Sequence, residues 1–119
     1  MVTAPAPGKL QDMPPLRMVI VTPVYQDAAN LAITAMAMER QTHPPDLWMI
    51  VDDGSLDETP DVAEAICAGL PFARLLRIDP QDKSDGLATA SEATAFNAGL
   101  RASGDGWDLI GKFDSDLDF

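Results

Sequence analysis

The strongest constraint on the fold of this chain is an alternation. Four β-rich runs, Met18–Thr22, Leu47–Val51, Ala73–Ile78 and Asp108–Phe113, are separated by segments with helical spacing. The first two runs are almost wholly apolar, as strands covered on both faces must be. A first helix is expected from Ala28 to Arg40, with Asp27 at its N-cap and the Pro44-Pro45 pair barring any extension. A second should start near Thr59-Pro60. There threonine would cap free amides, and proline at the first helical position gives up only a hydrogen that has no partner anyway. Asp61 and Glu64 suit the positive end of that helix, and Gly69 in the left-handed conformation would close it. The polar loop Asp79–Leu87 leads to a third helix, Ala90 to Ala102, with Thr89 and Glu92 at capping-box spacing and Gly104 near its end. The order β-α-β-α-β-α-β predicts an α/β fold: a parallel sheet with helices on both faces and the Met18 strand near its centre.

A chain of 119 residues fits one domain, and 46% hydrophobic residues are too many for a disordered one. Apolar runs are only strand-sized, so no transmembrane segment is expected. Residues 1–16, with Pro5, Pro7, Pro14 and Pro15 and no long apolar centre, read as a flexible proline-rich leader rather than a signal peptide. Residues 17–119 are left as the folded part. The expected location is the cytoplasm, or the cytoplasmic face of a membrane if the substrate is membrane-bound. Eight basic residues against nineteen acidic ones give a net charge of −11, which repels phosphate backbones and argues against nucleic acid as a partner. Cys67 is the only cysteine, so no intrachain disulfide can form; its place in an apolar helical stripe predicts a buried, inert thiol. His43 lies in a connection without neighbouring His or Cys and is weak evidence for a ligand.

In open parallel sheets, ligands bind beyond the carboxyl ends of the strands. That is where the polar residues collect. Thr22-Pro23-Val24-Tyr25-Gln26-Asp27 follow the first run, Asp52-Asp53-Gly54-Ser55 the second and Asp114-Ser115-Asp116 the fourth. Acids brought together there repel unless a cation or hydrogen-bond donors intervene. Gly54 permits a tight turn and close approach of backbone to a ligand, and Tyr25 offers a planar face to a base. If the chain turns at Asp114-Ser115-Asp116, both carboxylates face a metal; if it stays extended, one faces the ligand and the other the core. Oxygen-only ligands favour Mg2+ or Mn2+ over zinc. Asp57, Glu58 and Asp61 are read as a solvated acidic surface.

The segments VIVTPVYQDAANLAITAMAMERQ, IVDDGSLDET, ATAFNAGL and KFDSDLDF, in that order and spacing, resemble the start of a family 2 glycosyltransferase over Arg17 to Phe119. The resemblance implies a Rossmann-like GT-A fold, of which this chain is the N-terminal, nucleotide-sugar-binding part. It implies that Thr22, Pro23, Val24 and Tyr25 line the nucleotide pocket, and that Asp27 contacts the nucleoside. Asp53, with Asp52 beside it and Gly54 in the turn, is implied as the base or ribose contact. Asn97 and Gly99 match an Asn-x-Gly that supports the donor site. Asp114 and Asp116, flanking Ser115, match the Asp-x-Asp pair that holds the diphosphate through Mn2+ or Mg2+, with Asp116 the closer to direct ligation. Two departures stand out. Gln26 replaces the more usual asparagine, and Asp79–Leu87 is longer than the family's glycine-containing stretch.

The implied activity is inverting transfer of a sugar from a UDP- or GDP-sugar to an acceptor hydroxyl, as in building cell-envelope polysaccharide, with lipid-linked and polysaccharide acceptors both open. The family's base lies downstream of the Asp-x-Asp pair, so the chain is expected to stop short of it and to be inactive alone. Competing readings are a catalytically inactive nucleotide-binding fragment and other acidic-site α/β domains. A receiver-type switch would place its acids after the first strand, and here Asp52-Asp53 follow the second. A phosphatase would want Asp-x-Asp after the first strand. A calcium loop would need glycine where Phe119 stands.

Overall fold

A computed structural model of the chain describes residues 16–79 and 88–114, and the side chains of all of these except 88–93. Residues 1–15 of the leader, residues 80–87 of the polar loop, the Thr89 and Glu92 side chains, and residues 115–119, with Ser115, Asp116, Asp118 and Phe119, lie outside the described set. The elements follow in the expected order: β1 Met18–Val24, α1 Ala28–Glu39, β2 Leu47–Asp52, α2 Thr59–Gly69, β3 Ala73–Arg77, α3 Ala88–Ala102 and β4 Leu109–Lys112. All strands are parallel, in the order β3-β2-β1-β4.

Strand alternation divides the core into two layers. Ile20, Val24, Trp48, Ile50 and Ala73 meet α1 and α2 through Leu31, Ala35, Met38 and Ala63. Val19, Val21, Met49 and Val51 point the other way and meet α3 through Ala95, Phe96 and Leu100. The chain winds from β1 outward to β3 and then crosses back to β4. Right-handed crossovers therefore put α1 and α2 on one face and α3 on the other. Gly99 sets the depth of α3, because a Cβ there would come within 2.5 Å of Val51 Cγ2 and 2.8 Å of Val21 Cγ1.

Three local expectations need correction. β1 runs two residues further, to Val24, and takes Pro23 into the sheet. A proline inside a parallel sheet is admissible only where its missing N–H has no partner to lose. Val21 accepts from Phe113 N at 3.2 Å, and the β1–β4 register ends at Val21 with Lys112. Two residues on, Pro23 faces the same side, so it ends the ladder with β4. Thr59 does not cap α2: it is the first helical residue, its hydroxyl accepts the Asp27 N–H at 3.1 Å, and the Asp57 carboxylate accepts the Thr59 N–H at 2.9 Å instead. Gly69 does not turn left-handed. It stays helical, and Leu70 leaves at φ −117° and ψ 111°, the extended conformation that the following Pro71 imposes.

Candidate functional site

The order β3-β2-β1-β4 reverses direction between β1 and β4. That point opens a crevice beyond the carboxyl ends of the strands. Pro23 makes the crevice physical by releasing β4 from β1 after Phe113. Tyr25 stands half exposed at its mouth on the β1 side, and Asp114 is partly exposed across it at the end of β4. Asp114 pairs with Lys112 at 3.6 Å through Oδ1, an oxygen that is itself buried although both side chains are partly exposed. Asp53, 6% exposed, lies next along the edge and donates its N–H to Val24 O at 2.9 Å.

The neighbouring residues are mostly engaged with one another. Thr22 is fully buried and its hydroxyl accepts the Trp48 indole N–H at 2.9 Å, so its side chain shapes the site from beneath. Pro23 and Val24 are also buried. The Asp52 carboxylate, with no exposed surface, accepts from Ser55 N at 3.1 Å and from Arg77 Nε at 3.2 Å. Gly54 turns at φ 81°, the left-handed geometry that only glycine enters without cost. Asp27 does occupy the N-cap of α1, yet its carboxylate makes no capping bond and accepts from Asn30 Nδ2 at 3.0 Å.

Two turns are stitched together. Gln26, at φ 47°, donates its N–H to Ser55 Oγ at 2.8 Å, and its side-chain oxygen accepts from Leu56 N at 3.4 Å. With the bond from Asp27 N to Thr59, these contacts lock the β1–α1 turn to the β2–α2 turn. Sequence reasoning gave Gln26, Thr59 and Arg77 no part in this. A signal for Arg77 existed: Asp52 closes an otherwise apolar run and needs a counter-charge, and Arg77 sits at the matching end of the next run.

Asn97 is exposed and, with Leu100, Arg101, Trp107 and Ile110, lines a groove between α3 and β4. Its helix neighbour Gly99 acts through packing. Cys67 is half-buried rather than buried; burial, and then the Glu64 charge, push its thiol pKa up, which favours the inert protonated form. The hydrogen bonds to Thr59 hold the Asp57 carboxyl below its usual value. Glu58 and Asp61 are exposed, as a solvated surface requires. Among the described residues no three His, Cys, Asp or Glu side chains converge, and no helix is long and apolar enough to cross a membrane.

A parallel sheet with helices on both faces and a switch point between β1 and β4 defines the class of open, Rossmann-like α/β domains. Within that class the chain belongs to glycosyl transferase family 2, whose model matches residues 19–118. The fold agrees with solved glycosyltransferases. One is the mannosyltransferase PcManGT from Pyrobaculum calidifontis, solved in complex with GDP-Man and Mn2+, which is 21% identical with a TM-score of 0.61 over 88% of this chain and 30% of that one. Another is S. aureus TarS 1-349, 18% identical with a TM-score of 0.59 over 85% of this chain and 28% of that one. The chain thus spans less than a third of either structure. No curated protein sequence matches it closely enough to count as a relative.

Proposed function

We propose that this chain is the donor-binding part of an inverting, divalent-metal-dependent glycosyltransferase that uses a nucleoside-diphosphate sugar. One observation carries the reading: β1, β2 and β4 bring Tyr25, Asp53 and Asp114 to one sheet edge, at the switch point of a family 2 chain. Tyr25 and Asp53 would take the nucleoside. The oxygen donors of Asp114 and Asp116 fit Mn2+ or Mg2+, hard cations that need few protein ligands when substrate phosphates complete the shell. Such a cation supplies neutralisation of the charge that develops on the departing diphosphate. The chain's own residues hold and orient the donor. The Asp52–Arg77 pair, in which a half-exposed guanidinium holds a buried carboxylate, and the locked turns keep that orientation fixed before the donor arrives.

GDP and UDP are the ligands to test, GDP first because PcManGT was solved with GDP-Man. Calorimetry should show binding that Mn2+ strengthens. Asp116→Ala should remove the strengthening and leave weak nucleoside binding, whereas Asp53→Ala should weaken binding with and without metal. Equal affinity with and without Mn2+ in the unmodified chain would refute the metal role.

A further inference from the structure

Arg77 sits at the carboxyl end of an outer strand, two strands away from the β1–β4 crevice. Its register partner across the ladder is Asp52, the last residue of β2. A fully buried carboxylate is tolerated only when charge and hydrogen bonds compensate it. Here Arg77 Nε occupies Oδ2 and the Ser55 N–H occupies Oδ1, at 3.2 and 3.1 Å. Ser55 is itself 2% exposed, and its hydroxyl accepts the N–H of Gln26 at 2.8 Å. Gln26 is the one described non-glycine residue with positive φ, a conformation that L side chains resist. Something outside the turn must hold it there, because strained backbone persists only where its surroundings over-determine it. The contacts form an unbroken line: guanidinium, carboxylate, backbone N–H and hydroxyl of one serine, then the strained amide beside Tyr25.

We infer that Arg77 is a positioning residue for the nucleotide donor, acting through Asp52 and Ser55 to hold Gln26 left-handed and so set Tyr25 against Asp53. The inference rests on the donor-site reading above. It assigns a function to an ion pair that lies on the α2 side of the sheet, where Asp52 shares its face with Trp48 and Ile50. Arg77 acts by orientation alone. One positively charged donor, Arg77 Nε, engages a single carboxylate oxygen and leaves the other aimed at the turn.

The test compares the unmodified chain with Arg77→Met, Arg77→Lys, Ser55→Ala and the Arg77→Met/Ser55→Ala double variant. Two quantities are read: hydrogen exchange at the Gln26 amide, and calorimetric affinity for UDP and GDP with Mn2+. Arg77→Met and Ser55→Ala should each speed exchange at Gln26 and weaken binding about three- to thirtyfold. The double variant should be no worse than the poorer single one, because both cut the same line. Arg77→Lys, whose ammonium still pairs with Asp52, should stay within about threefold of the unmodified chain. An ion pair that only stabilises the fold would lower the melting temperature of Arg77→Met yet leave Gln26 exchange and folded-state affinity unchanged; that result overturns the proposal, as do additive losses in the double variant. If Arg77→Met does not fold, Ser55→Ala and Arg77→Lys decide by the same two readings. Failure of the unmodified chain to bind either nucleotide would sink the donor-site reading instead.

Discussion

Gln26 shows how much a single backbone angle can explain. At φ 47° it occupies the region where asparagine is favoured and a longer or branched side chain is strained. The family's usual asparagine at this place therefore has a physical cause, and glutamine is a tolerated departure. Its compensation is the longer reach of its amide oxygen to Leu56 N, a weak bond at 3.4 Å. Gln26→Asn should raise stability by up to about 1 kcal/mol, and Gln26→Val should lower it by about 1–2 kcal/mol, both read from urea unfolding midpoints. The substitution site was visible in the sequence, but its conformation was not. The angle is set by Ser55, 29 residues away, and no local pattern encodes that contact.

At the scale of elements, periodicity placed every strand and helix within a few residues, because burial on one or both faces leaves a repeating trace in the chain. Their ends were harder to read. Capping depends on which neighbour competes for a side chain, and the Thr59 hydroxyl went to a turn of another element instead of its own helix. Gly69 met a different competitor, the proline two residues on, which fixed the exit geometry first. Gly99 gives the opposite lesson. It reads as a motif residue in the sequence, yet its place in the structure is explained by close packing on two stiff valines. Gly99→Ala gains helix propensity of about 1 kcal/mol but forces the clash. Overpacking costs about 1–3 kcal/mol, so net destabilisation is expected, measurable by denaturant unfolding.

At the scale of the whole chain, the net charge is −11, and the proposed nucleoside-diphosphate donor is itself an anion that must approach the acidic edge. Like charges repel over distances comparable to the screening length. Without divalent metal, raising ionic strength from about 0.02 M to about 0.2 M should strengthen nucleoside-diphosphate binding and leave the uncharged nucleoside unaffected. With Mn2+ bound the trend should flatten or reverse, and calorimetric titration at each salt concentration checks both arms. The composition alone contained this conflict, and the strand order shows where it concentrates. Pro23 bears on the molecule in one more way, as a guard against misassembly. If β4 slid two residues toward the carboxyl edge, every side chain would keep its face, so hydrophobic patterning could not reject the error. Lys112 would then lie opposite Pro23, which has no hydrogen to offer the incoming strand. The slipped sheet forfeits that bond and the native one keeps its full ladder, so the proline acts as a one-way stop that fixes how far Asp114 stands from Tyr25.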